Sequence, residues 1–235
     1  MKRKVSVFFP VYNEAWRLEA NVLSVRRFLQ DSRMDYELIV IDDGSTDSTQ
    51  EIAKVLQKEM GVIYIRYKKG CSRRENLARS FEKAGGDIIA FMDADLATDI
   101  GQLPELVKEA DMHGIAIGCR YAKGSVIKRK PSRLLFSIAY NSFMRLYFGS
   151  RVRDHQCGFK AFRRDILLDL AKEAGYDRSL RRGWFWDAEI LIRAQKKGHR
   201  IKEIPVVWRD MRKSSFNIRR EIKMIPYILR LKFYI

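Results

Sequence analysis

The stretch DIIAFMDADLATD, residues 87–99, runs from an apolar segment directly into acidic residues. Its apolar half, residues 87–92, predicts a buried strand. Asp93 and Asp95 follow, and on an extended backbone two residues at this spacing point to the same side. Neighbouring carboxylates repel each other unless a cation or water lies between them. The stretch is therefore either a polar loop that ends a strand or half of a divalent-metal site.

The segments around this stretch predict the fold class. Apolar residues recur at helical spacing between several apolar runs, and Ser48 and Glu51 have the spacing of a capping box at the start of one helix. Strands that alternate with amphipathic helices are typical of an α/β protein, whose mainly parallel sheet is covered by helices on both faces. The further predicted strands are 5–9, 37–41, 62–67, 114–121, a short strand within 153–165, and 201–208.

The predicted strand ends in the first half of the chain carry polar chemistry. In open α/β sheets, ligands bind beyond the carboxyl ends of the strands. Four of the first five predicted strands present polar or charged residues there. They are Pro10, Tyr12 and Glu14 after the first strand, Asp42 and Asp43 after the second, Asp93 and Asp95 after the fourth, and Arg120 after the fifth. This concentration at one edge favours the metal site over the polar loop.

The composition limits the class of protein. A chain of 235 residues with 46% hydrophobic residues fits one large domain, or a domain with an appendage. Lys and Arg number 46 against 29 Asp and Glu, and the charge of +17 indicates a polyanionic partner: nucleic acid, an anionic membrane or a phosphorylated substrate. Cys71, Cys119 and Cys157 lack CxxC spacing, which predicts reduced thiols in a cytosolic setting. No apolar run is long enough to predict a membrane span.

Two segments of the second half combine apolar faces with basic flanks. A basic loop over 121–132 leads into an apolar helix pattern over 134–148, with Pro131 at the predicted helix start. The tail, 216–235, mixes isoleucines with Arg and Lys. Such patterns are typical of helices that lie in a membrane interface, although packing against the sheet or a second subunit would give the same pattern.

Five motifs in chain order carry a family resemblance: FPVYNE, VIDDGSTDST, FMDADLATD, RDHQCGFKAF and GWFWDAEIL. Over about residues 4–215 they resemble family 2 glycosyltransferases of the GT-A fold, which has a Rossmann-like, mainly parallel twisted sheet. Among the branches of that family the motifs are most similar to those of the polyprenyl (dolichyl) phosphate glycosyltransferases, of the glucosyl type, with the mannosyl type as near neighbour. The resemblance implies a catalytic domain over 1–215, divided into a nucleotide-sugar half (1–120) and an acceptor half (121–215), followed by a basic amphipathic tail (216–235).

The activity implied by this resemblance is inverting, metal-dependent transfer of a hexose from a nucleotide sugar to a polyprenyl phosphate. UDP-glucose is the preferred donor, with GDP-mannose and UDP-N-acetylglucosamine left open. The implied metal is Mg²⁺ or Mn²⁺, held by Asp93 and Asp95. The implied donor-binding residues are Pro10, Tyr12, Glu14, Asp43, Asp93, Ala94, Asp95, Arg120, Arg209, Lys213 and Ser214.

The resemblance also implies catalytic and acceptor residues. Asp95, Arg120 and Asp187 match catalytic positions, with Asp187 expected to orient groups and not to remove a proton. Arg120, Lys130 and Arg133 would hold the acceptor phosphate. Mannosyl members have a metal-binding Gln where this chain has Ala97, which leaves water or Asp99 as a substitute. The sequence RKSS at 212–215 replaces the Gly-x-Ser-Lys of the loop that closes over the donor.

Two alternative functions stay open on the sequence. A nucleic-acid-binding protein would explain the charge of +17, but no helix-turn-helix, zinc-finger or RNP pattern is present, and acidic strand ends would repel phosphate without a metal. A glycosyltransferase acting on a soluble or glycan hydroxyl is the second alternative, although the Gln-x-x-Arg-Trp motif of processive synthases is absent. For the lipid-phosphate enzyme we expect peripheral attachment to the cytoplasmic face of a membrane, no nucleic-acid partner, and an undetermined oligomeric state.

Overall fold

A seven-stranded sheet organises the residues that the computed structural model describes, which are 3–68, 72, 74–177, 182–209 and 224–235. The strand order is β3-β2-β1-β4-β7-β5-β8, and all neighbours are parallel except β7, which runs antiparallel to both β4 and β5. The strands are β1 (Val5–Val11), β2 (Tyr36–Asp42), β3 (Ile63–Arg66), β4 (Ile88–Phe91), β5 (Ile115–Cys119), β7 (Lys160–Arg163) and β8 (Ile201–Pro205). The predicted α/β class and mainly parallel sheet are confirmed.

Helices pack on both faces of this sheet, as the apolar strands predicted. Alternate residues of each strand point to opposite faces, so Val7 packs on one side and Phe8 on the other. One face is covered by α1 (Leu18–Asp31), α2 (Thr49–Met60) and α4 (Leu103–His113). The other is covered by α3 (Glu75–Ser80), α6 (Arg164–Ala174) and α7 (Trp186–Lys196). Cys119 and Cys157 are buried free thiols.

The predicted last strand, 201–208, divides between two sheets. Residues Ile201–Pro205 form β8 of the large sheet, whereas β9 (Val207–Arg209) pairs in parallel with β6 (Val126–Lys128) in a separate two-stranded sheet. Val206 joins them, and its N–H bonds to the Ser125 hydroxyl instead of to β5. The single-strand prediction is therefore wrong, because an apolar run does not show where its hydrogen-bonding partner changes.

The predicted capping box of α2 does not form. Ser48 is the residue before the helix, but its side chain accepts no capping hydrogen bond. The carboxylate of Asp47 accepts instead from the backbone N–H of Thr49, at 3.0 Å. A residue one position earlier in the chain therefore satisfies the helix start, which the Ser-x-x-Glu spacing alone does not reveal.

A third apolar cluster joins α5 (Pro131–Phe148), α7 and the C-terminal helix α8 (Ile225–Leu231). Met144 of α5 and Ile228 of α8 lie in this cluster, so part of each helix packs inside the protein. Other apolar side chains of the same helices face outward: Leu146 is 85% exposed. Within the described ranges, no helix is both long enough and apolar enough to cross a bilayer.

Candidate active site

The acidic loop after β4 lies at the carboxyl edge of the sheet. Leu96 donates its N–H to the carbonyl of Asp93 at 3.1 Å and has a φ of +50°, so residues 93–96 form a turn. The extended backbone that the sequence predicted here is therefore wrong, because β4 ends at Phe91. The two carboxylates still interact, since burial and the negative charge of Asp93 raise the pKa of Asp95 above its usual value.

Arg74 joins the acidic loop to α7. Its Nη2 donates to Asp93 at 3.0 Å and its Nε donates to Asp187 at 2.9 Å. The ammonium of Lys160 reaches the other oxygen of Asp187 at 2.8 Å. Burial alone would raise the pKa of Asp187, but the charges of Arg74 and Lys160 hold it below its usual range. Asp187 is thus an ionised carboxylate fixed between two cations.

Sequence reasoning missed Arg74, and its backbone is unusual. Arg74 has a φ of +86°, a conformation that glycine adopts readily and other residues rarely. Its side chain is only 7% exposed. Because a residue is held in this region only when its surroundings stabilise it, the contacts to Asp93 and Asp187 are the evident cause. Arg74 lies in the charged run SRRE, a pattern typical of a solvated surface, so the sequence offers no signal for its role.

Gly158 supports the acidic loop from the side. A Cβ atom built on Gly158 would lie 2.0 Å from a carboxylate oxygen of Asp93. Any other residue at this position would therefore require the Asp93 carboxylate to move. Gly158 and Lys160 belong to the RDHQCGFKAF motif, which the sequence analysis quoted without assigning either residue a role.

The nucleotide side of the predicted site lies after β2. Asp43 accepts hydrogen bonds from the N–H and hydroxyl of Ser72, at 2.8 and 2.6 Å, and from Asn76 at 2.6 Å. Asp42 is buried and accepts from Tyr64 and from the N–H of Ser45, both at 2.7 Å. Asp42 therefore stabilises the fold, whereas Asp43 is a carboxylate oriented by α3.

The remaining predicted donor residues after β1 differ in exposure. Tyr12 is 40% exposed and Pro10 is half-buried. Glu14 is buried, and its carboxylate accepts from Arg17 Nε. The predicted contacts of Pro10, Tyr12 and Glu14 with a nucleotide remain predictions, and Glu14 would have to make them while it is paired with Arg17.

Arg120, at the end of β5, is held by Asp154. Its Nε and Nη2 donate to the two oxygens of Asp154 at 2.7 and 2.8 Å, and its side chain is 5% exposed. Asp154 also accepts from the backbone N–H of Arg120. Two of the three guanidinium nitrogens are thus engaged inside the protein. The predicted contact of Arg120 with a phosphate remains a prediction, and the sequence had not indicated Asp154.

The small sheet brings the basic half of the chain to the acidic loop. The N–H of Arg209, in β9, donates to the carbonyl of Ala97 at 2.8 Å, two residues after Asp95. Lys128, in β6, lies opposite Arg209, and α5 begins shortly after β6, with Lys130 as its N-cap residue and Arg133 in its first turn. Ala94 is buried in the loop itself. Lys213 and Ser214 lie outside the described residues.

The acidic loop fits a divalent cation that takes only part of its ligands from the protein. Among the described residues, no group of three or more His, Cys, Asp or Glu side chains could hold a metal. Asp99 accepts from the N–H of Gly101 at 2.8 Å and caps a 3-10 helix. Asp93 and Asp95 are hard oxygen donors held close together, which suits Mg²⁺ or Mn²⁺ when a diphosphate and water supply the other oxygens.

These features define a class of enzyme. A mainly parallel sheet carries an Asp-x-Asp loop at the carboxyl end of β4, an oriented carboxylate at the end of β2, and a small accessory sheet beside the loop. That is the arrangement of a glycosyltransferase with the GT-A fold. The family model described as Glycosyl transferase family 2 matches residues 6–170, and the chain belongs to this family.

Comparisons with known proteins agree with this assignment. The chain is 39% identical over 226 residues to glycosyltransferase AglD of Haloferax volcanii, covering 93% of this chain and 35% of AglD. It is 29% identical to dolichyl-phosphate beta-glucosyltransferase ALG5A of Trichomonas vaginalis, covering 98% and 73%. The chain therefore spans about a third of AglD and about three-quarters of ALG5A.

A solved structure supports the fold. Glucosyl-3-phosphoglycerate synthase from Mycobacterium tuberculosis, in complex with Mn²⁺, UDP and glucosyl-3-phosphoglycerate, matches with a TM-score of 0.67. The match has 20% sequence identity and covers 97% of this chain and 79% of the synthase. At this identity the likeness bears on the fold, and the predicted GT-A fold is confirmed.

Proposed function

We propose that the protein transfers a hexose from a nucleotide sugar, with UDP-glucose as the preferred donor, to a polyprenyl phosphate of the dolichyl type. The observation that carries the proposal is the Asp93–Asp95 pair beside Arg209, at the edge where the basic start of α5 also lies. The likeness to a dolichyl-phosphate beta-glucosyltransferase over 98% of the chain supports the choice of acceptor. We propose the same division as the sequence predicted: a nucleotide-sugar half over 1–120, an acceptor half over 121–215 from which Arg209, Lys213 and Ser214 reach the donor, and a tail over 216–235.

On the donor side, Asp93 and Asp95 would hold Mg²⁺ or Mn²⁺ against the diphosphate. The bound ion supplies positive charge that stabilises the leaving diphosphate as the glycosidic bond breaks. Asp43 would bind the nucleoside part, since α3 aims its carboxylate at the same edge. Arg209 would add a cation near the diphosphate. We also propose that Lys213 and Ser214 bind the donor, as the sequence predicted.

On the acceptor side, no general base is required. A phosphate monoester has a second pKa near ~6 and is largely a dianion at neutral pH, so its oxygen attacks without losing a proton. Asp187 suits this chemistry, because Arg74 and Lys160 keep it ionised and make it a poor proton acceptor. A single in-line displacement by the phosphate oxygen would invert the anomeric centre.

The start of α5 is the proposed acceptor-phosphate site. Lys130 is exposed, Arg133 lies in the first turn, and Pro131 occupies the first helical position, where its missing N–H costs nothing. The free N–H groups of a helix N-terminus and a nearby guanidinium attract the same anion. Arg120, at the end of β5, would contact the same phosphate through Nη1, the guanidinium nitrogen that does not bond to Asp154.

Exposed apolar side chains of α5, of α8 and of Phe233, which follows α8, form the proposed membrane-facing surface. This surface consists of Leu135, Phe136, Ile138, Phe143, Leu146, Ile225, Leu229 and Phe233, all more than 40% exposed. The two helices are adjacent, since the Tyr147 hydroxyl of α5 donates to the carbonyl of Leu229 in α8, and exposed apolar side chains grouped in this way mark an interaction site. We propose that it lies in the interface of the cytoplasmic leaflet and brings the lipid phosphate to α5.

A transfer assay tests the proposal. The purified chain is incubated with Mn²⁺, a short polyprenyl phosphate and, separately, radiolabelled UDP-glucose, GDP-mannose or UDP-N-acetylglucosamine. We expect organic-extractable label with UDP-glucose, its loss with a chelator, and a fall of about a hundredfold or more in Asp95→Asn that keeps the wild-type circular dichroism. Label that appears only in water-soluble glycan would contradict the lipid acceptor, and a fully active Asp95→Asn would contradict the metal assignment.

A further inference from the structure

A chain of buried charges connects α8 to the donor site. Arg182 forms a two-pronged ion pair with Glu75, through Nε at 2.8 Å and Nη2 at 2.7 Å. Its Nη1 lies 3.4 Å from Glu189, and the hydroxyl of Tyr227 donates to the same Glu189 oxygen at 2.8 Å. Arg182 and Glu189 are fully buried and Glu75 is 3% exposed. We call these four residues the Glu75–Tyr227 relay.

One end of the relay lies beside the proposed donor carboxylates. Glu75 is flanked in sequence by Arg74, which binds Asp93 and Asp187, and by Asn76, which binds Asp43. A shift of Glu75 would therefore move the groups that orient Asp93 and Asp43. Glu75 follows any shift of Arg182, because a buried carboxylate cannot leave its arginine without a desolvation cost.

The other end of the relay lies in α8. The ring of Tyr227 packs edge-on against Phe185, with ring centroids 6.1 Å apart, so the helix seats its hydroxyl against Glu189. Burial and the charge of Glu189 raise the pKa of Tyr227, so the hydroxyl keeps its proton and donates. On its outer side α8 exposes Ile225 and Leu229, which belong to the proposed membrane-facing surface.

The hydrogen bonds around Glu189 show why the relay depends on the hydroxyl of Tyr227. The second oxygen of Glu189 accepts from Arg193 Nε at 2.8 Å, so Glu189 lies between two arginines and one hydroxyl. If α8 leaves, the oxygen shared by Tyr227 and Arg182 keeps only the longer contact of 3.4 Å. A buried acceptor that loses its better donor carries a desolvation cost, which a closer approach of its remaining partner would reduce. Arg182, which also donates to the carbonyls of Ala174 and Gly175, would then shift toward Glu189 and draw its ion-pair partner Glu75 with it.

We propose that Tyr227 and Glu189 are positioning residues for the donor site: through the Glu75–Tyr227 relay, the seating of α8 sets the start of α3 and thereby the orientation of Asp93 and Asp43. The proposal rests on the proposed function, in that these carboxylates bind the nucleotide sugar. Linkage makes the coupling reciprocal, so a bound donor favours the seated α8. Contact of α8 with its lipid surface and binding of the donor would thus reinforce each other.

A pair of tyrosine variants tests the relay. Tyr227→Phe removes the hydroxyl on Glu189 and keeps the ring. Tyr147→Phe is the matched control, because the Tyr147 hydroxyl also holds α8, through the carbonyl of Leu229 at 2.9 Å, without contacting the relay. With the full chain and Mn²⁺, we expect Tyr227→Phe to weaken UDP binding in calorimetry by about five- to tenfold and Tyr147→Phe by less than about twofold.

A second measurement does not depend on nucleotide binding. The arginine Nε–H signals of Arg74 and Arg182 in NMR spectra of the metal-free chain should shift in Tyr227→Phe and stay in place in Tyr147→Phe. Equal weakening of UDP binding in both variants, or unchanged arginine signals in Tyr227→Phe, would overturn the relay. If the wild type binds no UDP while the arginine signals shift as expected, the donor assignment fails and the relay stands.

Discussion

Removal of the Arg74 side chain tests how the site is held together. Arg74 pairs with Asp187, where both side chains are 7% exposed, and with Asp93, which is 43% exposed. Breaking a buried pair costs about 3–5 kcal/mol, and an exposed pair about 0–1 kcal/mol. In the Arg74→Ala variant Lys160 still pairs with Asp187, so we place the lost stability at the lower end of the range for a buried pair. We expect Arg74→Ala to lower the free energy of unfolding by about 3 kcal/mol.

A comparison of Arg74→Ala with Arg74→Gly separates the effect of losing the side chain from the effect of backbone strain at this position. A non-glycine residue at a φ of +86° costs about 1–3 kcal/mol, whereas glycine adopts it without strain but loses about 0.5–1 kcal/mol more chain entropy on folding. Arg74→Gly should therefore be about 1 kcal/mol more stable than Arg74→Ala. Urea unfolding at pH 7, followed by tryptophan fluorescence, measures both. Equal stability of the two variants, or a loss in Arg74→Ala below about 0.5 kcal/mol, would refute this reasoning.

The same variants separate structure from ligand binding. Arg74 occupies one oxygen of Asp93 as a cation would, so its removal leaves more negative charge for a divalent ion. We expect Mn²⁺ to bind the nucleotide-free Arg74→Gly variant about fivefold more tightly, while sugar transfer falls because Asp93 and Asp187 lose their common partner. Weaker Mn²⁺ binding would show that the orientation which Arg74 gives to Asp93 matters more for the ion than the negative charge that Arg74 neutralises.

Two further predictions concern Gly158 and His155. Gly158→Ala should reduce transfer by about a hundredfold or more, because a Cβ 2.0 Å from the Asp93 carboxylate would displace that carboxylate, and unchanged transfer would mean that the reaction does not depend on the position of Asp93. His155 bonds to Asn141 and Ser150, and burial, aided by Lys160 and Arg145, lowers its pKa to about 4. Since the unfolded pKa is about 6.5, the unfolded state binds more protons between these values, and stability falls as the pH drops through this window, by about 1 kcal/mol between pH 6.5 and 5.5. His155→Gln should remove that slope in chemical unfolding at pH 6.5 and 5.5, and the half-buried control His199→Gln should retain it.

The acidic loop was predictable because its chemistry is local. An apolar strand that ends in Asp93 and Asp95 is visible in a few consecutive residues, and the rule for parallel sheets places it at a ligand edge. The backbone geometry was wrong in detail, since β4 ends early and the loop turns at Leu96. The prediction of the pair did not depend on that detail, because a turn also brings residues two apart together.

The partners of this loop were not predictable in the same way. Arg74 reaches Asp187 across 113 positions of the chain, and Arg120 reaches Asp154 across 34. No periodicity or spacing in one sequence pairs such residues. The insertion of antiparallel β7 between β4 and β5 has the same origin: an apolar run shows that a strand exists but not its direction or neighbours.

The apolar helices illustrate a third limit. Interface docking and core packing were alternatives for the pattern in α5, and the structure distributes them over two sides of one helix, with Met144 buried and Leu146 exposed. The apolar residues of α5 therefore show little helical periodicity, because one side of the helix is apolar where it packs in the core and the other side is apolar where it is exposed. Sequence periodicity detects one buried face against a polar one, so it does not resolve a helix with two apolar faces.

The charge distribution explains why a chain of +17 has acid at its ligand edge. Arg74 and Lys160 bond to Asp187, and Arg74 bonds to Asp93. Burial and the charge of Asp93 raise the pKa of Asp95 against the opposing charge of Arg17, so further positive charge between Asp93 and Asp95 would be stabilised. A diphosphate meets this edge favourably only through such a cation. A lipid phosphate at the basic start of α5 needs none. The proposed function therefore assigns the acidic loop to the donor and the basic residues to the acceptor. Donor and acceptor are both anions, and this arrangement holds them close together while separate positive charges offset their repulsion.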